Sequence, residues 1–114
     1  MLNMQLDYAT FSKDIEFICK GLKASIRHMP KYNRYVVGDR ILNVLLDIKV
    51  TTKLLVFGLG IGKPDVSQLY NSLVTLWVLL DDCIEDGTLL LKGPNTVAEP
   101  RKRLSDLLKA FPKV

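Results

Sequence analysis

Residues 66–83 read VSQLYNSLVTLWVLLDDC. Val66, Leu69, Leu73, Leu76, Leu80 and Cys83 recur there in steps of three and four, the spacing that puts side chains on one face of a helix. Pro64 and Asp65 suit the first turn of that helix, and Gly87 suits its end. The same spacing returns on both sides of this stretch. Phe11, Ile15, Ile18, Leu22, Ile26 and Met29 predict a first helix, with Thr10 as its N-cap and Pro30 as its stop. Val37, Ile41, Val44, Ile48, Leu55 and Leu59 predict a second, closed by the turn that Gly58, Gly60 and Gly62 allow. Leu104, Leu107, Leu108 and Phe111 predict a short fourth, with Pro100 in its first turn and Pro112 beyond its end. Between Gly87 and Pro100, Thr88-Leu89-Leu90-Leu91-Lys92 fits a helix end, an extended piece or a packed loop, and Gly93-Pro94-Asn95 reads as a turn. Short connections make antiparallel neighbours of consecutive helices. The expected fold is therefore one all-α domain over residues 1–114, an antiparallel up-down-up-down four-helix bundle.

Two of these helices carry more apolar surface than one core can use. Leu42, Leu46, Val50, Leu54 and Phe57 form a second stripe on the second helix. Val74, Val78 and Leu79, beside Tyr70 and Trp77, do the same on the third. A surface helix buries one face, so the second stripe calls for a partner surface, and self-association is expected.

Composition agrees with a single soluble domain: 114 residues, 48% apolar and 25% charged. Neither a signal peptide nor a membrane span is legible, and a cytoplasmic protein is expected. Cys19 and Cys83 sit far apart within apolar patterns, as small buried hydrophobes of a reducing compartment do.

Charge is distributed unevenly along the chain. Residues 20–63 hold Lys20, Lys23, Arg27, Lys31, Arg34, Arg40, Lys49, Lys53 and Lys63 against Asp39 and Asp47, a net +7 in a chain of net +4. Segregated positive charge on folded helices produces a field that draws in polyanions, which points to nucleic acid. Lys31, Arg34 and Arg40 are the first candidates for phosphate contacts, followed by Lys49, Lys53 and the cluster Arg101, Lys102 and Arg103. Tyr32 and Tyr35 interleave with these charges, where they can stack on unpaired bases or pack at the helix junction. On a continuous helix Arg34 and Arg40 lie about 120° apart, and Lys49 and Lys53 are turned about 180° and 220° from Arg40. The second helix thus cannot line up all its cations in a monomer, and neighbouring subunits of a ring would bring different faces to one rim.

Signs of catalysis are weak. Gly58-Leu59-Gly60-Ile61-Gly62-Lys63 lacks the glycine at 57 and the Ser or Thr at 64 of a phosphate loop, and reads as a helix terminus. A lone histidine, His28, forbids a histidine metal cluster and leaves no histidine-based triad. Asp81, Asp82, Glu85 and Asp86 have the spacing of a magnesium–diphosphate motif, a reading kept as a rival. Otherwise they are simply solvated or meet basic residues of a neighbouring subunit or partner, with Arg101, Lys102 and Arg103 of the same chain among the choices. No cofactor or metal is expected.

The stretch from Met29 to Asp47 adds a resemblance. Pro30-Lys31, the basic–aromatic step Arg34-Tyr35, and Arg40-Ile41 followed by Leu45-Leu46-Asp47 resemble the signature of the accessory variability determinant (Avd) proteins of diversity-generating retroelements. Proteins of intervening sequences in 23S ribosomal RNA genes are more distantly similar. The leucine-rich stretch from Leu73 to Leu80, ending in Asp86-Gly87, is also similar, and the likeness covers about residues 11–87. It implies a basic four-helix bundle that forms a pentameric ring. It further implies that the chain binds RNA or DNA and partners a reverse transcriptase during mutagenic copying, without being a catalyst. An adaptor bundle of the intervening-sequence type, with no reverse transcriptase, is the alternative.

Overall fold

The computed structural model describes residues 8–57, 66–93 and 96–111, and every regular element among them is helical. In chain order these are α1 (Tyr8–Arg27), α2 (Lys31–Asn33), a π-helical turn (Arg34–Gly38), α3 (Asp39–Phe57), α4 (Val66–Glu85) and α5 (Ala98–Ala110). α2, the π turn and α3 follow one another without a gap, so the break in the chain falls at residues 28–30. Pro30 sits there in an extended conformation (φ −53°, ψ 144°), which ends α1 and re-aims the chain. Thr10 lies inside α1, which already runs from Tyr8, so the expected N-cap is an interior position. The expectations for Gly58, Gly60 and Gly62, for Pro64 and Asp65, and for Pro112 lie outside the described residues.

The core follows the predicted stripes on α1, α4 and α5. Phe11, Ile15, Ile18, Leu22 and Ile26 meet Leu69, Leu73, Leu76, Leu80, Leu104 and Leu107, all buried. On α3 the buried line is Ile41, Leu45, Ile48 and Thr52, while Val37, Val44 and Leu55 are only half-buried. The buried line thus takes Leu45 and Thr52 ahead of Val44 and Leu55; in the π turn before α3, Asp39 N–H donates to Arg34 O, five residues back. Thr52 is tolerated inside because its hydroxyl donates 2.7 Å to Ile48 O.

Among the four long helices, α1 packs on α3 and α5, and α4 packs on the same two. Several contacts fix these seams. A Cβ built on Gly38 would stand 3.0 Å from Ile26 Cγ2, and one on Gly21 would stand 2.7 Å from Pro100 Cγ. Lys53 Nζ lies 3.1 Å from Ser12 Oγ, and Phe11 and Tyr70 both pack against the Phe111 ring.

The segment from Gly87 to Lys92 is a packed loop, which decides among the three readings. Gly87 adopts φ +82° and its N–H donates to Ile84 O, while Leu89 N–H donates to Cys83 O, capping α4 in left-handed geometry. Leu89 and Val97 plug the core, and Val97 N–H ties the start of α5 to Leu90 O at 2.9 Å.

The second stripes are uncovered in the single chain. Leu46 is 59% exposed and Phe57 66%, with Val50, Tyr70 and Val78 also exposed. Leu42, Leu54, Val74, Trp77 and Leu79 are half-buried. No described helix is long and apolar enough to cross a membrane.

Candidate nucleic-acid interface

Leu22 and Ile26 point into the core, and this turns Lys23 and Arg27, one position further on and four apart, to the outer face of α1. Arg27 falls in the last turn of α1, where a cation complements the helix dipole. The turn at Pro30 then brings Lys31 of α2, and Arg34 and Tyr35 of the π turn, up beside them. Together with Ile26, Asp39 and Leu42 these residues line an open cleft of about 590 Å³. Gly38, buried under it, has no side chain to hold Ile26 away.

Four cations and one carboxylate share this cleft. Among the described residues none of Lys23, Arg27, Lys31 and Arg34 is engaged in an ion pair. Their charge therefore faces solvent, in a concave site where the field is focused. The basic surface extends along α1. Lys23 also lines a second groove of about 310 Å³ with Lys20, Lys49, Glu16, Phe17 and Cys19. Burial pushes the Cys19 thiol up despite Lys49 and Lys23 nearby, so it stays protonated at neutral pH.

The expected site residues are thus divided. Lys31 and Arg34 are brought together, and Lys49 joins the adjoining groove. Arg40 is exposed but does not line the cleft. Lys53 hydrogen-bonds Ser12 near the opposite end of α1. Arg101 pairs with Asp81 at 2.7 Å and lies 4.3 Å over the Trp77 ring, while Arg103 pairs with Asp14 at 2.9 Å over Phe17. Both arginines hold α5 in the bundle. Lys102, exposed, lines a polar hollow with Asp14, Glu99 and Asp106. Lys20, Lys23 and Arg27, part of the basic run but not among the expected site residues, are the cations the fold adds. Their steps of three and four, offset from the apolar pattern of α1, are the signal in the sequence that marks them.

The acidic cluster is split as well. Asp81 is taken by Arg101, and Asp86 accepts from the Thr88 N–H and hydroxyl, which hold its carboxyl below the usual range. Among the described residues no group of three or more His, Cys, Asp or Glu is arranged to hold a metal ion. Cys19 and Cys83 are both free and buried.

Comparison with protein-family models, with curated proteins and with solved structures returned no match to this chain.

Proposed function

We propose that the chain is a non-catalytic, nucleic-acid-binding accessory protein of the Avd kind, serving a reverse transcriptase in the cytoplasm during mutagenic copying. The observation that carries the nucleic-acid part is the convergence on one cleft of four cations, Lys23, Arg27, Lys31 and Arg34, without ion-pair partners among the described residues. Helical segments on either side of Pro30 supply them, so one subunit brings all four. The reverse transcriptase as partner rests on the resemblance in residues 29–47. An antiparallel up-down-up-down course is supported by the order of contacts: Ser25 meets Thr96, Asp14 meets Arg103, and Phe11 meets Phe111. A ring of subunits is supported by the exposed stripe of Leu46, Val50 and Phe57 on α3; the number five comes from the resemblance.

That same stripe favours a second reading, an adaptor whose apolar and basic faces dock proteins. RNA binding titrated with salt separates the two. Phosphate contacts give a steep negative dependence of log affinity on log salt, whereas an adaptor gives no RNA binding to titrate. Co-purification of the chain with a reverse transcriptase encoded beside it tests the partner; failure to associate sinks that part alone.

A further inference from the structure

We propose that the cleft takes an unpaired strand, seating a phosphate on its cations and a base on the face of Tyr35. This rests on the nucleic-acid reading above and adds which form of nucleic acid fits. The shape argues first. The cations rise from α1 on one side of the Pro30 turn and from α2 and the π turn on the other, so they surround a concavity. A duplex is convex and keeps its bases stacked inside, and so meets such a hollow only at the rim. A single strand can lower one phosphate and turn one base into it.

The lining argues next. Tyr35 borders the cleft with 67% of its surface bare, on a helical turn. Ile26 and Leu42 add an apolar floor, which a phosphate rail has no use for and a base or sugar does. Asp39 stands among the cations and repels phosphate. It leaves the backbone of the strand to Lys23, Arg27, Lys31 and Arg34 and the base to the side of Tyr35. Its carboxylate can accept from a base amine or a ribose hydroxyl there.

The test compares a labelled short RNA strand with a blunt duplex of the same length, by fluorescence anisotropy over a series of salt concentrations. Tyr35→Ala, at an exposed position, is expected to weaken single-strand binding about ten-fold while leaving the salt slope as it was. Tyr35→Phe keeps the ring and should bind like the parent. Duplex affinity should not respond to either change. Undiminished single-strand binding by Tyr35→Ala, or an equal loss on the duplex, overturns the stacking proposal while leaving phosphate binding by the cations intact. If neither nucleic acid binds the parent protein at low salt, the stacking proposal and the reading beneath it both fall.

Discussion

Replacing Arg101 with alanine is expected to loosen the bundle and leave nucleic-acid binding as it is. The Arg101 guanidinium lies 2.7 Å from Asp81 Oδ1, with the two side chains 29% and 49% exposed. A pair so open to solvent contributes about 0.5–1 kcal/mol. Its position 4.3 Å over the Trp77 ring contributes about another 0.5–1 kcal/mol. Against these stands Arg101 Nε, buried and with no acceptor among the described residues, whose desolvation costs part of that gain. The net destabilisation in Arg101→Ala is then about 1 kcal/mol. For a chain of 114 residues this lowers Tm by about 4 °C. Thermal melts followed by circular dichroism measure it, and a double-mutant cycle with Asp81→Ala should return a coupling of about 0.5–1 kcal/mol. The paired RNA titration should give the parent's affinity and salt slope. An unchanged Tm together with weakened RNA binding would refute the reasoning and return Arg101 to the nucleic-acid surface.

Gly21→Ala should destabilise the fold although alanine is the better helix former by about 1 kcal/mol. Its Cβ would come 2.7 Å from Pro100 Cγ, and over-packing against a buried ring costs about 1–3 kcal/mol. A higher Tm for this variant would show that α5 does not sit on α1 as described. Lysines at Leu46 and Val50, both solvent-facing in the single chain, should reduce the mass in light scattering to 12.9 kDa with helicity retained. Persistence of the parent's assembly would place the subunit contact elsewhere. Burial, helped by Asp86 and Asp82, pushes the Cys83 thiol up to about 11 from its usual 9.0. The unfolded chain releases this proton first, so the stability the raised pKa confers is whole below pH 9 and disappears as pH rises towards 11. Melts at about pH 8 and about pH 10.5 should therefore show a larger alkaline drop in the parent than in Cys83→Ala; equal drops would contradict it.

The helices of this chain are legible where apolar spacing is strict. α1 and α4 keep steps of three and four over five or more positions, and a core formed by those residues follows directly. On α3 the buried line runs through Leu45 and the polar Thr52, which apolar spacing passes over, and nothing in Arg34-Tyr35-Val36-Val37-Gly38 announces that the helix widens ahead of it. The clue is spatial: Gly38 lets Ile26 approach, which is a contact between helices and not a local propensity. The connection between α4 and α5 is opaque for a similar reason, since Leu89 and Val97 are core residues without a periodic neighbour. The charge of the site is plain in composition, but its membership is not. Lys23 and Arg27 belong to the first helix, and only the turn at Pro30 folds Lys31 and Arg34 back beside them. The competition between Arg101 as a phosphate contact and as a partner for the acids depends on where α5 lies, and packing alone decides that.

The central claim is that the α1–α2 cleft holds nucleic-acid phosphate. It is tested most directly by the salt dependence of RNA binding in a variant with Lys23, Arg27, Lys31 and Arg34 all changed to alanine, beside the parent. All four side chains belong to the cleft, and three of them (Arg27, Lys31 and Arg34) lie at its turn end. Each single-strand phosphate that the protein no longer neutralises flattens the slope of log affinity against log salt by about 0.7. The account seats at least one phosphate there and so predicts weaker binding with a slope flatter by about 0.7 or more, with the parent's helicity and assembled mass. A parent-like slope in that variant would contradict it.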